Sequence, residues 1–428
     1  MSKRLLTICL GLLLVFSFVI GAVAEEKVTL RFAWWGSQSR HDMTMKVIDL
    51  FEKKYPHIDI QPEFTGWSGY FDRINTQMAG GNLPDVLQHV RKNMSGYIKH
   101  GNLLDLTPYL ENGTLDTSNI PDSLIAMGAI NGKQYGMATG VNAPAVYYDK
   151  ELFDKAGIDY PTPDRTWQDE IALLKELNSK LGILGSANLT SQTDLGGFTV
   201  YIRQHGGTLY NEDGTALGYD DDQLYVDFMN LTLEALDSGA VWSAPVRAEN
   251  TDTGVEQDPI TRQEAAMATI YWSNQLSALV NSAGKMLGVT TMPTAENQVV
   301  EGRFMKPAML WTVGANTEHP EEAITFINFM IHDVEAGKIM GTDRGVPTES
   351  KVKAALAEDA SKIDQVVFDY IDLASANSGA ALSLQPPAHQ EIVDAYEEVY
   401  WKVIYKQISS QEAAKEFRTK ANNILANQ

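Results

Sequence analysis

The sequence predicts an α/β fold, because short stretches with the period of a strand are followed by longer stretches with the period of a helix. Residues 28–34 place apolar side chains at alternate positions, as a half-buried strand does. Residues 41–54 carry them at helical spacing, and Pro56 ends that helix. The succession continues with elements at 58–64, 70–79 and 84–87. This order is typical of a mostly parallel sheet with helices on both faces.

The same alternation continues in the second half of the chain. Elements are predicted at 146–148, 167–177, 224–236, 287–292 and 321–331, with a largely helical region from Lys351 onward. A chain of 428 residues exceeds the size at which a single core stops growing, about 250–300 residues. We see no internal repeat and no long linker, so we expect two α/β lobes joined by several short crossings.

The first 24 residues have the pattern of a cleavable export signal. Lys3 and Arg4 precede an apolar run from Leu5 to Gly21, and Ala22–Ala24 supplies the small-x-small cleavage site. The alternative is a membrane anchor, but the run is near the lower length limit for a span and the cleavage site favours removal. We therefore interpret residues 1–24 as a signal peptide.

Cysteine content and charge limit the possible location and partners. The one cysteine, Cys9, lies inside the apolar run rather than at its end, which makes it a poor lipidation site. The expected mature protein is therefore exported and unanchored, without disulfides. Loss of Lys3 and Arg4 changes the net charge from −21 to −23. This charge argues against nucleic acids and anionic membranes as partners.

Motifs for catalysis and for cofactor binding are lacking in the sequence. It has no P-loop, dinucleotide fingerprint, nucleophile elbow or zinc-protease motif. Asp220–Asp222 do not have calcium-loop spacing, and the eight histidines show no metal-ligand spacing. We therefore expect no cofactor, no metal and no enzymatic activity. Among 55 acidic residues, a carboxylate pair for glycoside cleavage remains an open alternative.

Tryptophans at strand ends and in turns are the candidate ligand platforms, because flat aromatic rings stack on the C–H faces of sugars. Trp34 and Trp35 end the first predicted strand, and their adjacency puts one of them in the core. Trp67 lies in a glycine-rich turn after the second strand. Trp272 and Trp311 complete the set. Polar side chains that could bond sugar hydroxyls are Arg40, His41, Gln88, Asn142, Ser273 and Arg344.

An ordered set of local marks extends over the chain after residue 24. They are Phe32–Gly36, Arg40–His41, Phe51–Pro56, Met78–Val86, Gly101–Leu106, Gly132–Gly136, Val146–Gly157, Ala265–Met267, His319–Ala323 and Arg344–Pro347. With these marks the chain resembles the extracellular solute-binding proteins of carbohydrate ABC importers, the family that includes maltose-binding protein. The resemblance implies a type II periplasmic-binding-protein fold whose two lobes close on a sugar. It also implies an importer permease as partner, and we expect a monomer. Since the chain departs from the family in having no lipid-anchor cysteine, we expect a diffusible periplasmic protein.

The resemblance implies two discontinuous lobes. The first comprises 25–138 and 290–331, and the second comprises 139–289 and 332–428. It also implies sugar contacts at Trp34 or Trp35, Gln88, Asn142, Trp272 and Arg344. Residue type and position add five further candidates: Trp67, Trp311, Arg40, His41 and Ser273.

The ligand class has alternatives. The Trp-Trp-Gly mark followed by Arg40 and His41 is similar to a branch associated with pectin oligosaccharides. In that case Arg40, His41 and Arg344 pair a sugar carboxylate. The same side chains could instead bond neutral hydroxyls. Two other functions stay open: a secreted lyase or glycosidase, and a binding protein for a peptide, polyamine or metal.

Overall fold

A computed structural model describes residues 27–36, 38–67, 69–189, 196–250, 257–380, 382–383 and 385–427. The strands are β1 Val28–Trp35, β2 Ile58–Thr65, β3 Val86–His89, β4 Ala129–Ile130, β5 Lys133–Gln134, β6 Met137–Asn142, β7 Pro144–Tyr148, β8 Leu184–Ser186, β9 Ala265–Trp272, β10 Gly288–Thr290 and β11 Lys306–Val313. The helices α1 to α8 are Gln38–Lys54, Tyr70–Ala79, Met94–Lys99, Thr107–Glu111, Asp122–Ile125, Lys150–Ala156, Trp167–Leu181 and Gly196–Gln204. The helices α9 to α17 are Gln223–Asp237, Ala244–Glu249, Leu276–Ala283, Pro320–His332, Val334–Met340, Ser350–Glu358, Lys362–Ala376, His389–Ile404 and Ser410–Ala426.

The first large sheet has the strand order β2-β1-β3-β11-β6. Strand β1 is parallel to β2 and β3, whereas β11 is antiparallel to both β3 and β6. Strands β1, β2, β3 and β6 therefore all end at one edge, and β11 begins there. In open α/β sheets this carboxyl edge is where ligands bind.

The second large sheet has the order β10-β7-β9-β8. Strands β10 and β9 are antiparallel to β7, and β8 is parallel to β9. Strands β8, β9 and β10 therefore end at the edge where β7 begins. The alternation of strands and helices read from the sequence is confirmed in both sheets.

A single residue, Ala143, separates the two sheets at their first crossing. Asn142 pairs with Lys306 in the first sheet, and Pro144 pairs with Trp272 in the second. The main chain of Ala143 is fixed by Ser273, whose N–H donates to the carbonyl of Ala143 at 2.9 Å. Its own N–H donates to Oγ of Ser273 at 3.2 Å. The carboxyl edges of the two sheets therefore meet at Ala143.

The two faces of the first sheet bury different residues of the same strand. Trp34 packs with α1 and α12 in one core cluster, and Trp35 packs with α2 in another. Neighbouring strand residues point to opposite faces. The sequence placed one of the two tryptophans in the core, but both are buried, each in its own cluster.

Two of the predicted lobe boundaries differ from the sheet pairing. Residues 139–142 were expected in the second lobe, but they continue β6 in the first sheet. The strand continues because Val141 and Asn142 pair with Pro307 and Lys306 of β11. Val141 also exchanges main-chain hydrogen bonds with Val346 at 2.9 and 3.2 Å. Residues 332–340 were also expected in the second lobe, but Ala336 is buried in the first sheet's core with α1.

The expected signal peptide, residues 1–24, and Cys9 lie outside the described residues. Within the described ranges, every helix is too short or too polar to cross a membrane.

Close packing at Gly140 gives a test of this hinge geometry. A Cβ at Gly140 would lie 2.5 Å from the carbonyl oxygen of Arg344 and 2.7 Å from the carbonyl carbon of Gly345. Both are main-chain atoms that cannot rotate away, so Gly140→Ala should lower the free energy of unfolding by about 1–3 kcal/mol. Thermal unfolding measures this. The control is Gly96→Ala, where a Cβ meets nothing within 4 Å; equal melting temperatures for both variants would contradict the packing.

Candidate ligand-binding site

An aromatic cluster lies at the carboxyl edge of the first sheet. The ring of Trp35 is 5.2 Å from that of Trp67 and 5.0 Å from that of Tyr70. Phe71 packs edge-on against Trp67 at 5.5 Å. Trp35 is 6% exposed, whereas Trp67 is 52% exposed. Trp67 therefore presents a large open aromatic surface on a support of rings that are buried or half-buried.

Trp34 and His41 lie in the interior instead. The indole N–H of Trp34 donates to Nδ1 of His41 at 3.1 Å, and the ring of Phe64 covers both side chains. Since Nδ1 accepts this bond, the neutral imidazole carries its proton on Nε2. Burial, followed by the charge of Arg40, lowers the pKa of His41. Trp34 has no exposed surface, whereas Trp35 is 6% exposed and contacts the open ring of Trp67.

Arg344, Gln88 and Trp311 form a buried polar network below that edge. Nε of Arg344 donates to Oε1 of Gln88 at 2.8 Å, and Nη2 donates to Oγ1 of Thr44 at 2.9 Å. The guanidinium lies 5.3 Å from the centroid of the Trp311 ring. Burial, with a further effect from Arg40, lowers the pKa of Arg344 to about 9. Trp311, Gln88 and Arg344 are almost completely buried and contact one another.

Arg40 is bound to the same segment as Arg344. Its Nε donates to Oδ2 of Asp343 at 2.5 Å, and its Nη2 donates to the main-chain oxygen of Asp343 at 3.0 Å. Nη1 of Arg344 lies 3.7 Å from the same carboxylate. Two arginines that were candidates for a sugar carboxylate are thus already paired with a carboxylate of the protein.

The remaining predicted residues come together at the crossing. Oγ of Ser273 donates to Oδ1 of Asn142 at 3.3 Å. The hydroxyl of Tyr147 donates to the main-chain oxygen of Trp272 at 2.8 Å, which fixes the end of β9. Trp272 itself is half-buried and stands at the carboxyl edge of the second sheet.

Three residues at this site were missed by the sequence analysis. Nζ of Lys306 lies 3.3 Å from the centroid of the Trp272 ring, and the ring of Phe304 is 6.3 Å away. Phe71 supports Trp67. Phe71 directly follows Tyr70 on a predicted helix, and helical spacing could have indicated it. For Lys306 and Phe304 the local sequence carries no such signal, because their proximity to Trp272 arises from pairing between distant strands.

Comparisons with known proteins place this arrangement in a family. The family described as "bacterial extracellular solute-binding protein" matches residues 38–335, well over half of the chain. The chain belongs to this family. A solute-binding protein from Alicyclobacillus acidocaldarius has 29% identity and a TM-score of 0.82, covering 94% of this chain and 99% of that one. The two-lobed type II fold expected from the sequence is thereby confirmed.

Two further relatives of this solute-binding protein are named for sugars. The periplasmic oligogalacturonide-binding protein of Yersinia enterocolitica has 25% identity and a TM-score of 0.80, covering 94% of this chain and 99% of that one. The arabinooligosaccharide-binding protein of Bacillus subtilis is 25% identical over 176 residues. That match spans 38% of this chain and 40% of the relative, less than half the length of either.

Within the described ranges, no three His, Cys, Asp or Glu side chains are grouped so that they could hold a metal ion. The family and the relatives named above are binding proteins rather than enzymes.

His89, at the end of β3, makes the edge of the first sheet sensitive to acid. It is fully buried between Phe71 and Tyr97, and burial lowers its pKa to about 4. The unfolded chain therefore binds a proton at higher pH than the folded chain does. The buried, neutral His89 side chain therefore contributes its full share of the folding free energy above about pH 6.5. This contribution, on the order of 3 kcal/mol, is lost as the pH falls toward 4.

The variant His89→Asn tests this contribution, since Asn can donate to the Val90 carbonyl but does not titrate in this range. We expect its melting temperature to fall less than that of the wild type between pH 6.5 and 4.5. Exposed His57 provides the control, His57→Asn, which should retain the wild-type slope. Parallel curves for all three proteins would contradict the assignment.

Proposed function

We propose that this protein captures a carbohydrate, in the form of an oligosaccharide, between two closing lobes. The proposal depends on one observation: each sheet has a tryptophan at its carboxyl edge. Trp67 lies in the turn that follows β2 of the first sheet, and Trp272 is the last residue of β9 in the second. Aromatic rings on both sides of a cleft can stack on a sugar chain and bury its apolar faces. The relatives named for oligosaccharides support the same ligand class.

Closure follows from ligand contacts on both lobes. A ligand shifts the open and closed populations only by its difference in affinity for them, and a sugar touching both tryptophans has that difference. Main-chain segments at Ala143, 291–305 and 359–361 connect the two lobes and would bend. We assign 27–142 and 306–358 to the first lobe, because Asp343, Arg344 and Ser350 are hydrogen-bonded to it, and 144–290 and 362–427 to the second.

The closed protein then delivers its sugar to the permease of an ABC importer, in this proposal. Both lobes must be held in the closed arrangement for a permease to distinguish loaded from empty protein. Export by residues 1–24 would place the protein in the periplasm, where such a permease meets it. We expect the protein to act as a monomer without a cofactor.

A ligand screen tests the proposed function. Arabino-oligosaccharides, maltodextrins and oligogalacturonides are added to the mature protein, and thermal unfolding is followed, because a bound ligand raises the melting temperature by mass action. We expect at least one class to stabilise the protein, with a dissociation constant near 1 μM or tighter, about −8 kcal/mol. Failure of every sugar to raise the melting temperature, or the release of cleavage products, would contradict the proposal.

Substitution of the two platforms should remove most of this affinity. We expect Trp67→Ala and Trp272→Ala each to weaken binding of the sugar found in the screen by about 2–4 kcal/mol, as loss of a central aromatic contact does. Titration calorimetry measures the change. Tyr405 is an exposed aromatic directly after α16 and gives the matched control, Tyr405→Ala, which should bind as the wild type does. A variant at either tryptophan with unchanged affinity would exclude that residue from the site.

A further inference from the structure

The carboxyl edge of the first sheet has a step. Strand β3 ends at His89, which pairs with Leu310 in β11. Strand β11 begins four residues before Leu310, at Lys306, and its partner β6 continues beside it to Asn142. At about 3.3 Å per residue, β6 and β11 therefore extend about 13 Å beyond the end of β3.

Strands β1 and β2 end at the same level as β3. Ala33 pairs with Leu87 in the parallel strand β3, which places the end of β1, two residues later, level with the end of β3. Trp35 pairs with Thr65, so β2 also ends there. We call the ends of β1, β2 and β3 the lower edge, and the paired ends of β6 and β11 the upper edge.

The two tryptophans of the proposed site lie at different heights of this step. Trp67 lies at the lower edge, where its ring is 5.2 Å from that of Trp35. Trp272 lies at the upper edge, because it pairs with Pro144 and its ring centroid is 3.3 Å from Nζ of Lys306. Strands β1 and β11 are separated by β3 alone, which adds about 10 Å across the sheet. The two rings are therefore on the order of 15 Å apart.

Closure of the lobes shortens this gap only in part. A rotation moves each residue in proportion to its distance from the axis, and the axis passes near the crossing at Ala143. The N–H of Ser273 donates to the carbonyl of Ala143 at 2.9 Å, so the preceding residue, Trp272, lies close to that axis. Trp272 therefore moves less than the outer parts of the second lobe, and the first sheet largely sets its distance from Trp67.

This distance limits the length of a sugar that can touch both rings. A sugar unit advances an extended chain by about 5 Å, which is close to the spacing between neighbouring strands. A unit stacked on Trp67 and another on Trp272 therefore leave room for at least one unit between them.

We propose that the ligand is a chain of at least three sugar units, which runs across the step from Trp67 at the lower edge to Trp272 at the upper edge. Each tryptophan holds a different unit of the chain. This inference rests on the proposed capture of carbohydrate and specifies its length, because a monosaccharide or a disaccharide reaches one of the two rings only.

Calorimetric titration with a series of chain lengths tests this inference. Maltodextrins, arabino-oligosaccharides and oligogalacturonides of one to five units are titrated into the wild-type protein. In the class that binds, the affinity should rise at least about tenfold between the disaccharide and the first chain of three or four units that reaches both rings, since one further aromatic contact supplies that factor.

Two variants separate the platforms. Trp67→Ala and Trp272→Ala should each lose this gain, so that the longer chains bind at least about tenfold more weakly than to the wild type. The disaccharide should keep its wild-type affinity in one of the two variants, because it touches one ring only. Tyr405→Ala should retain the whole wild-type series. Trp272→Leu keeps an apolar side chain without the flat ring, and it repeats the test should the Ala variant have a lowered melting temperature.

Three further results are distinguishable. Equal affinities for the disaccharide and for every longer chain overturn the proposed length, while leaving the capture of carbohydrate intact. A disaccharide that binds more weakly to both variants also overturns it, because that disaccharide contacts both rings. Absence of binding by every chain of every class contradicts the proposed function itself.

Discussion

The short crossing at Ala143 sets the position of the whole candidate site. Only Ala143 lies between β6 of the first sheet and β7 of the second. The ends of their partner strands, β11 and β9, are therefore brought into contact. Ser273 satisfies both main-chain groups of Ala143, which holds the end of β9 beside the crossing. Buried main-chain groups must be hydrogen-bonded, so this arrangement cannot loosen without cost. Trp272 and Lys306 are placed by that constraint.

A second constraint fixes the edge of the first sheet. The segment around Asp343 and Arg344 is tied to α1 through Arg40 and Thr44, and to β3 through Gln88. Buried ion pairs of this kind add little net stability, but losing one partner leaves a buried charge and is strongly unfavourable. The network therefore acts mainly to hold one geometry. Because Gln88 also donates to the main-chain oxygen of Trp35, the aromatic edge depends on it.

Much of the fold follows from local patterns in the sequence, whereas the site follows only in part. Strand and helix periods predicted the α/β sheets, and the two-residue period of a strand predicted opposite faces for Trp34 and Trp35. The end of β6 could not be predicted, because it depends on pairing with β11 and on the bridge to Val346, both distant in sequence. Lys306 gives no local signal either: a lysine at the start of a strand is usually solvent-exposed, and only its register with Asn142 brings it to Trp272. Arg40 was assigned to the ligand because its internal partner, Asp343, is distant in sequence and the ion pair between them gives no local signal.

A sugar held by both sheets should draw the lobes together, and an interlobe distance tests this closure directly. The mature chain is expected to contain no cysteine, so spin labels can be attached at Asp72→Cys on the first lobe and Lys180→Cys on the second, both exposed. The distance distribution is measured by pulsed electron paramagnetic resonance with and without a saturating bound oligosaccharide. Binding should shift the distribution to a second, distinct distance, and this shift should be lost in Trp272→Ala at the same sugar concentration. An identical distribution for empty and saturated protein would contradict it.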